Sequence, residues 1–235
     1  MKNVFVQTHN AKNFIEPMKD AVRAQSDSAL LVFHGQAGRG KTTAARFFAA
    51  QEGWAYCRAK TLWTELWMLQ DLCFDLGVDP DEIPKRKKPA FEAIVEDLTD
   101  NQRPVIVDEA DKMTPKVLEV IRDLADLTMV PWALVGEKLL MIKMQRERRI
   151  WSRTVRAVEF GPISTQDILF FAQQATGMKL TAGQGEMFRE ASEGDFRLVA
   201  RDIGRLEAIM QASGHEDVKD DTVHLAIKQG LRGSA

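Results

Sequence analysis

The stretch Gly35-Gln36-Ala37-Gly38-Arg39-Gly40-Lys41-Thr42 constrains this chain more than any other. It fits G-x-x-x-x-G-K-[ST], the phosphate-binding loop. Ala29-Leu30-Leu31-Val32-Phe33-His34 before it is an apolar run of strand length, and Thr43-Ala44-Ala45-Arg46-Phe47-Phe48-Ala49-Ala50 after it is rich in helix formers. Strand, glycine-rich loop and helix, in that order, are the context the motif needs. The glycines let the backbone wrap a phosphate without Cβ clashes. The N–H groups of the loop and the helix N-terminus then face the anion. Gly35, Gln36, Ala37, Gly38, Arg39, Gly40, Lys41, Thr42 and Thr43 are therefore the candidate nucleotide cradle. Lys41 is expected to reach the β- and γ-phosphates, and the Thr42 hydroxyl to ligate Mg²⁺.

A second signal lies at Pro104-Val105-Ile106-Val107-Asp108-Glu109-Ala110-Asp111, an apolar strand ending in two acids. Asp108 is expected to hold Mg²⁺ and Glu109 to polarise the attacking water as general base. The letters Asp-Glu-Ala-Asp also occur in helicases, which need a second motor domain for which 235 residues leave no room.

Around these motifs, strand and helix patterns alternate. A helix is expected from Asn10 to Gln25, a strand over Trp54–Arg58, and a helix after Thr61, its candidate cap, ending at Gly77. A polar loop from Asp79 to Pro89 precedes a helix over 90–100, and Pro115 opens another to about Leu127. A strand at Pro131–Gly136, a charged helix over 137–150 and a last strand at Thr154–Phe160 complete the pattern. Strands that are apolar throughout, rather than alternating, argue a parallel sheet covered on both faces. After Gly161-Pro162 the pattern changes. Ser164-Thr165-Gln166-Asp167 reads as a capping box opening a run of helices near 165–176, 182–192, 195–212 and 220–230. The expected fold class is α/β, with a parallel-sheet core over residues 1–163 and a small all-helical lid over 164–235.

Composition narrows the function classes. A net charge of −2 excludes a globally basic nucleic-acid binder, so any DNA contact must come from local clusters. No apolar run is long enough to span a membrane, and no secretory leader is recognisable. The two cysteines, Cys57 and Cys73, sit in apolar settings and suggest neither a disulfide framework nor a metal site, which fits a cytoplasmic protein. His34 reads as a packed histidine rather than a ligand.

With the phosphate loop, Val105–Glu109 and a helical segment carrying Gly194-Asp195-Phe196-Arg197, the chain resembles the AAA+ ATPases. The resemblance implies ATP and Mg²⁺ as cofactors. It assigns Arg197, in a Gly-x-x-Arg on a lid helix, to the γ-phosphate as the second sensor. It assigns Arg153, just before the last core strand, to the γ-phosphate of a neighbouring subunit, with Arg148 and Arg149 as alternates. An Arg so placed stabilises transition-state charge. One position departs from the pattern: the family's fourth strand usually ends in a polar Asn, Ser or Thr, and here Leu134-Val135-Gly136 runs into Glu137.

Within that superfamily the chain most resembles the phage Mu B-type transposition ATPases. The residues that carry this are the phosphate loop, Arg58-Ala59-Lys60-Thr61-Leu62-Trp63-Thr64, Asp108-Glu109-Ala110-Asp111-Lys112, Leu134-Val135-Gly136 and Ser152-Arg153. The resemblance implies an ATP-dependent protein that oligomerises on duplex DNA and regulates a transposase, with DNA-contacting residues after the second strand: Arg58, Lys60 and Thr61. That family can carry an extra N-terminal DNA-binding domain, for which these 235 residues leave no room, so the expectation here is an ATPase core working alone. A replication initiator or helicase loader, and a nucleotide switch or secretion-linked ATPase without DNA, share the ATP site and stay open.

Two further basic clusters compete for phosphate backbone. Lys85-Arg86-Lys87-Lys88, flanked by prolines, reads as an exposed loop. Lys143, Arg146, Arg148, Arg149, Arg153 and Arg156 stand against the single acid Glu147, and part of that charge belongs to the expected subunit contact. Trp63 and Trp67 read as core rather than as base-stacking platforms.

Overall fold

A computed structural model of the chain describes residues 1–2, 4–24, 30–214 and 217–232. Gln25 and Ala29, expected at the end of the first helix and the start of the first strand, lie outside the described residues. The chain divides into two compact units that interleave in sequence. One comprises Asn13–Gln36 and Lys41–Phe160, and the other Met1–Lys12, Ala37–Gly40 and Gly161–Ala235.

The first unit is built on a five-stranded sheet: β1 (Leu30–His34), β2 (Ala55–Arg58), β3 (Val105–Asp108), β4 (Trp132–Gly136) and β5 (Thr154–Glu159). Every pairing is parallel and the order is β2-β3-β4-β1-β5. Parallel neighbours need crossover connections. These are supplied by α2 (Lys41–Glu52), α3 (Glu65–Leu76), α4 (Lys87–Asp100), α5 (Pro115–Thr128), α6 (Lys138–Arg146) and α7 (Arg148–Trp151), with α1 (His9–Ala24) leading in.

Strand side chains alternate between faces, and in β1 both sets are buried. Leu30 and Val32 join a core with Leu69 and Leu72 of α3, Ile94 of α4 and Ile121 of α5. Phe33 points the other way, into an aromatic cluster with Phe14 of α1 at 4.4 Å and Phe160 at 6.4 Å between ring centroids; Phe48 of α2 stacks on Phe14 at 6.1 Å. Burying one such side chain stabilises by about 1.5–3 kcal/mol. Because all strands run the same way, His34, Arg58, Asp108, Gly136 and Glu159 end at one edge of the sheet, where α/β proteins bind ligands.

Three local expectations are corrected. Thr61 does not cap the third helix. Thr64 does, its hydroxyl accepting from the Trp67 backbone N–H at 3.3 Å, while Thr61 is exposed in the preceding turn. The fourth helix starts at Lys87, not residue 90, so Lys87 and Lys88 lie in its first turn rather than in a loop. Pro89 is tolerated there because a first-turn N–H has no helical acceptor to lose. The charged segment 137–150 is two helices. Glu147 leaves helical geometry (φ −94°, ψ 83°), which buries Ile150 while Arg148 and Arg149 stay exposed.

The second unit is all helical after residue 161: α8 (Thr165–Thr176), α9 (Ala182–Ala191), α10 (Phe196–Ser213) and α11 (Asp220–Arg232). Its core gathers Ile163, Ile168, Phe171, Phe188, Val199, Ile203 and Leu206 with Val6 from the N-terminal segment. The Ser164 box is only half formed. Ser164 Oγ accepts from the Asp167 N–H at 3.1 Å. The Asp167 carboxylate, however, takes the Ser164 hydroxyl at 2.8 Å and the His9 N–H at 3.2 Å instead of the Ser164 N–H. Thr181 and Gln184 make the full reciprocal box at the start of α9. Among the described residues no helix is long and apolar enough to cross a membrane.

Candidate nucleotide site

The phosphate loop leaves the end of β1 and runs into α2, which begins at Lys41. Gly38 (φ +78°) and Gly40 (φ +88°) take left-handed conformations open to glycine at little cost. Lys41 is buried, and its Nζ donates to the carbonyls of Gly35 and Gln36 at 2.8 Å each, so its ammonium spans the loop. Thr42 lies in the first turn of α2, with Thr43 exposed beside it.

Within the second unit, the tip of this loop meets the Gly194–Arg197 motif. The Phe196 N–H donates to Gly38 O at 2.8 Å, and a Cβ on Gly38 would fall 2.0 Å from the Asp195 carboxylate. Arg39 Nη1 donates to Glu193 O at 2.8 Å. Asn10 Nδ2 donates to both Arg39 O (3.2 Å) and Gly161 O (2.9 Å). Asp195 caps α10 through the Arg197 N–H at 2.8 Å and takes the Arg197 guanidinium at 3.0 Å. Burial raises the Asp195 carboxyl, but the hydrogen bonds from Arg197 more than offset this and leave it below its ordinary range.

The two acids sit at the end of β3, one buried and one partly exposed. Asp108 is 1% exposed; its Oδ1 accepts the Glu109 N–H at 2.8 Å and its Oδ2 accepts the Tyr56 hydroxyl at 2.9 Å. Burial, and then the charge of Asp108, push the Tyr56 phenol up to about 12, which keeps it a donor. Glu109 has a left-handed backbone (φ 54°), and its carboxylate is held by Arg58 on one oxygen and Lys112 on the other. Burial raises the Glu109 carboxyl, and the bonds from Lys112 and Arg58 overcome this and hold it low. Thr42 and Asp108 offer hard oxygen donors of the kind Mg²⁺ takes, and the carboxylate is already oriented, so the donor set fits that ion.

Behind the acids, Asp111 links the β3 and β4 ends. Its Oδ1 accepts the Glu137 N–H at 2.9 Å, and a Cβ on Gly136 would come within 2.5 Å of it. Lys143 bonds the carbonyls of Asp111 and Met113. The Glu137 side chain is exposed and makes no cap bond to α6.

Each remaining candidate has a definite setting. Arg153 Nε reaches Asp126 of α5 at 3.0 and 3.3 Å. Lys60 pairs with Asp71 at 2.6 Å and lies 5.4 Å from the Trp67 ring centre; Trp63 is buried and donates to the same Asp71 oxygen. Trp67, expected in the core, is 38% exposed instead, with the Lys60 ammonium over its ring. Lys87 pairs with Glu65 and Lys88 with Glu92, whereas Lys85 and Arg86 make no ion pair among the described residues. His34 is packed at the end of β1, and its buried Nδ1 has no hydrogen-bond partner among the described residues. Cys57 and Cys73 are buried, which pushes both thiols up.

A family model described as "AAA domain" matches residues 23–141, which contain the loop and both acids. The chain belongs to the AAA domain family. It is 27% identical over 237 aligned positions to the "ATP-dependent target DNA activator B" of Escherichia phage Mu, spanning 96% of this chain and 73% of that protein. It is 23% identical over 178 positions to the "Mu-like prophage FluMu DNA transposition protein B" of Haemophilus influenzae, spanning 72% of this chain and 60% of that protein. Among solved structures, the ORC2 protein of Aeropyrum pernix superposes with a TM-score of 0.70 at 16% identity, over 100% of this chain and 72% of its own. That likeness establishes the fold alone.

The AAA match accounts for the loop and the two acids, but not for what holds them. Tyr56, Asn10 and Asp126 were not singled out from the sequence, and Asp111, Lys112 and Asp195 entered only as members of the quoted motifs, without a role. Asp195 carried a further signal there, as the residue before a helix next to Phe196-Arg197.

Proposed function

We propose that this AAA chain is a Mg²⁺-dependent ATPase that assembles with copies of itself, as a closed oligomer or helical filament, on duplex DNA and regulates a transposase in the cytoplasm. The observation that carries the reading is the combination of an AAA nucleotide site with similarity to a target DNA activator over 96% of the chain.

In this reading residues 1–163 form the nucleotide core and 164–235 the lid. Backbone N–H groups of Gly35–Thr43 bind the phosphates, and Lys41 exchanges its loop carbonyls for the β- and γ-phosphate oxygens. Thr42 and Asp108 hold Mg²⁺, whose charge offsets that of the phosphates. Glu109 accepts the proton of the attacking water. Arg197, steadied by Asp195, faces the γ-phosphate of its own subunit. Arg153 leaves Asp126 for the γ-phosphate of a neighbour. Arg58, Lys60 and Thr61 approach the DNA backbone. One such cation is worth little, but repetition along an assembly makes binding cooperative, salt-dependent and largely indifferent to sequence.

The test is an ATP-dependent DNA mobility shift at graded salt, with Lys41→Ala as the control. The parent is expected to shift unrelated duplexes only with ATP, and Lys41→Ala to lose ATP binding and the shift together. A shift indifferent to ATP, or micromolar ATP affinity in Lys41→Ala, overturns the reading. Capture of a helicase instead of a transposase would favour a loader.

A further inference from the structure

We infer that Tyr56 is a positioning residue for the metal-binding acid: its hydroxyl fixes the Asp108 carboxylate so that the remaining lone pairs are presented to Mg²⁺. The inference rests on the reading of Thr42 and Asp108 as the Mg²⁺ ligands.

The register of the sheet creates the contact. Tyr56 lies opposite Ile106 and Arg58 opposite Asp108. Side chains two apart on a strand share a face, so Tyr56 and Arg58 project on the same side of β2. That one short strand therefore reaches both adjacent acids, Tyr56 bonding Asp108 and Arg58 bonding Glu109. An ionised carboxylate offers about four lone-pair directions. The Tyr56 hydroxyl takes one on Oδ2 and the Glu109 N–H one on Oδ1. Two bonds on two different oxygens fix the plane of the carboxylate as well as its position. The Ala59 N–H ties the Asp108 backbone carbonyl to the end of β2 at 2.8 Å, but the Glu109 N–H is adjacent in the chain and moves with Asp108, so among the described residues Tyr56 is what refers the Asp108 carboxylate itself to another strand.

The same ring also contacts α2. The Arg46 guanidinium stands 5.5 Å from the Tyr56 ring centre, a cation–π distance. α2 begins with Lys41 and Thr42. Tyr56 is thus wedged between the helix that bears the hydroxyl donor and the strand that bears the carboxylate donor. Hydrogen bonds to a metal-ligating carboxylate typically change metal affinity or activity by about 10–100-fold.

Tyr56→Phe keeps the ring and its face toward the Arg46 guanidinium and deletes the hydroxyl, with its bond to Asp108 and its interaction with Arg46. A fluorescent non-hydrolysable ATP analogue is bound to the full chain, once in EDTA and once across a Mg²⁺ titration. The half-saturating Mg²⁺ concentration of Tyr56→Phe is expected to rise roughly tenfold, with affinity in EDTA unchanged. A Mg²⁺ dependence identical to the parent's overturns the inference, as does an equal loss in EDTA and Mg²⁺, which marks Tyr56 as packing only. A parent that binds no analogue in either condition instead overturns the underlying nucleotide-site reading.

Discussion

Arg58 at the end of β2 and Glu109 at the end of β3 are ion-paired, with Lys112 on the second Glu109 oxygen. The cation proposed for DNA is therefore already a partner of the proposed catalytic base. Arg58→Ala is expected to act on both functions: weaker, less salt-sensitive DNA retention, and a higher basal hydrolysis rate, because Glu109 loses one of its two cations. Lys60→Ala, whose partner is Asp71, is expected to weaken DNA retention alone. Filter binding against salt and steady-state phosphate release would check this. Undiminished DNA binding in both variants, with loss on neutralising Lys85–Lys88, would move the DNA to that surface.

Glu109→Gln preserves the shape of the side chain and removes the base. Hydrolysis is expected to fall by about two to four orders of magnitude, with ATP binding retained and any ATP-dependent assembly longer lived. Parental turnover in this variant would remove Glu109 from the chemistry.

Arg153 makes an ion pair with Asp126 on the same chain. Arg153→Ala is expected to abolish hydrolysis while leaving nucleotide binding by the free subunit intact. Mixing it with Glu109→Gln protein is expected to restore turnover at interfaces where an intact Glu109 meets an intact Arg153. Asp126→Asn, which weakens the intrachain hold, is expected to lower the protein concentration at which hydrolysis appears. Absence of rescue at every mixing ratio would show that Arg153 does not act between subunits.

Gly38 and Gly40 share a left-handed backbone but differ in surroundings. A Cβ on Gly40 meets nothing within 4 Å, whereas one on Gly38 meets the Asp195 carboxylate. Gly40→Ala should carry the backbone strain alone, on the order of 1–3 kcal/mol. Gly38→Ala should be more destabilising, and its cost should shrink when it is made in an Asp195→Ala background, measured against Asp195→Ala alone. Urea unfolding of the parent, the three single variants and the double variant would measure this, and equal losses at the two glycines would refute it.

Burial lowers the His34 pKa below its ordinary 6.5; Glu159 opposes the shift, and Lys138 and Lys41 add to it. The unfolded chain thus takes up this proton at higher pH than the folded one. The stability contributed by neutral His34 is present above about pH 6.5 and declines as the pH falls toward the folded-state value. His34→Gln is expected to flatten the urea midpoint between about pH 7 and 5.5. An unaltered slope would show that another group carries the acid sensitivity.

The phosphate loop and the Asp108–Glu109 pair were legible because each is a local signal: glycines at fixed offsets, and an apolar run ending in acid. The helices after residue 164 were legible from periodicity. The roles of Tyr56 and Arg58 were not, because they arise from the pairing of β2 with β3, some fifty residues away in sequence. The pairing of Arg153 with Asp126 escaped for the same reason. Pro89 misled in the opposite direction: a residue read as a breaker sits where a helix tolerates it. Thr61 was read as the cap because it precedes the apolar run, but the helix starts at Glu65 and it is Thr64 that accepts the Trp67 N–H.

The helical unit is assembled from three separate stretches of the chain, Met1–Lys12, Ala37–Gly40 and Gly161–Ala235. During synthesis Val6 emerges early, but its core partners, from Ile163 to Ala226, follow much later. At typical translation speeds of 5–20 residues per second the delay is roughly 8–45 s. Through that interval the nascent N-terminal segment and the loop tip are without their docking partners. A nascent chain exposed as far as Phe160 should therefore hold all five strands with an immature nucleotide cradle, and ATP competence should be among the last properties the growing polypeptide acquires.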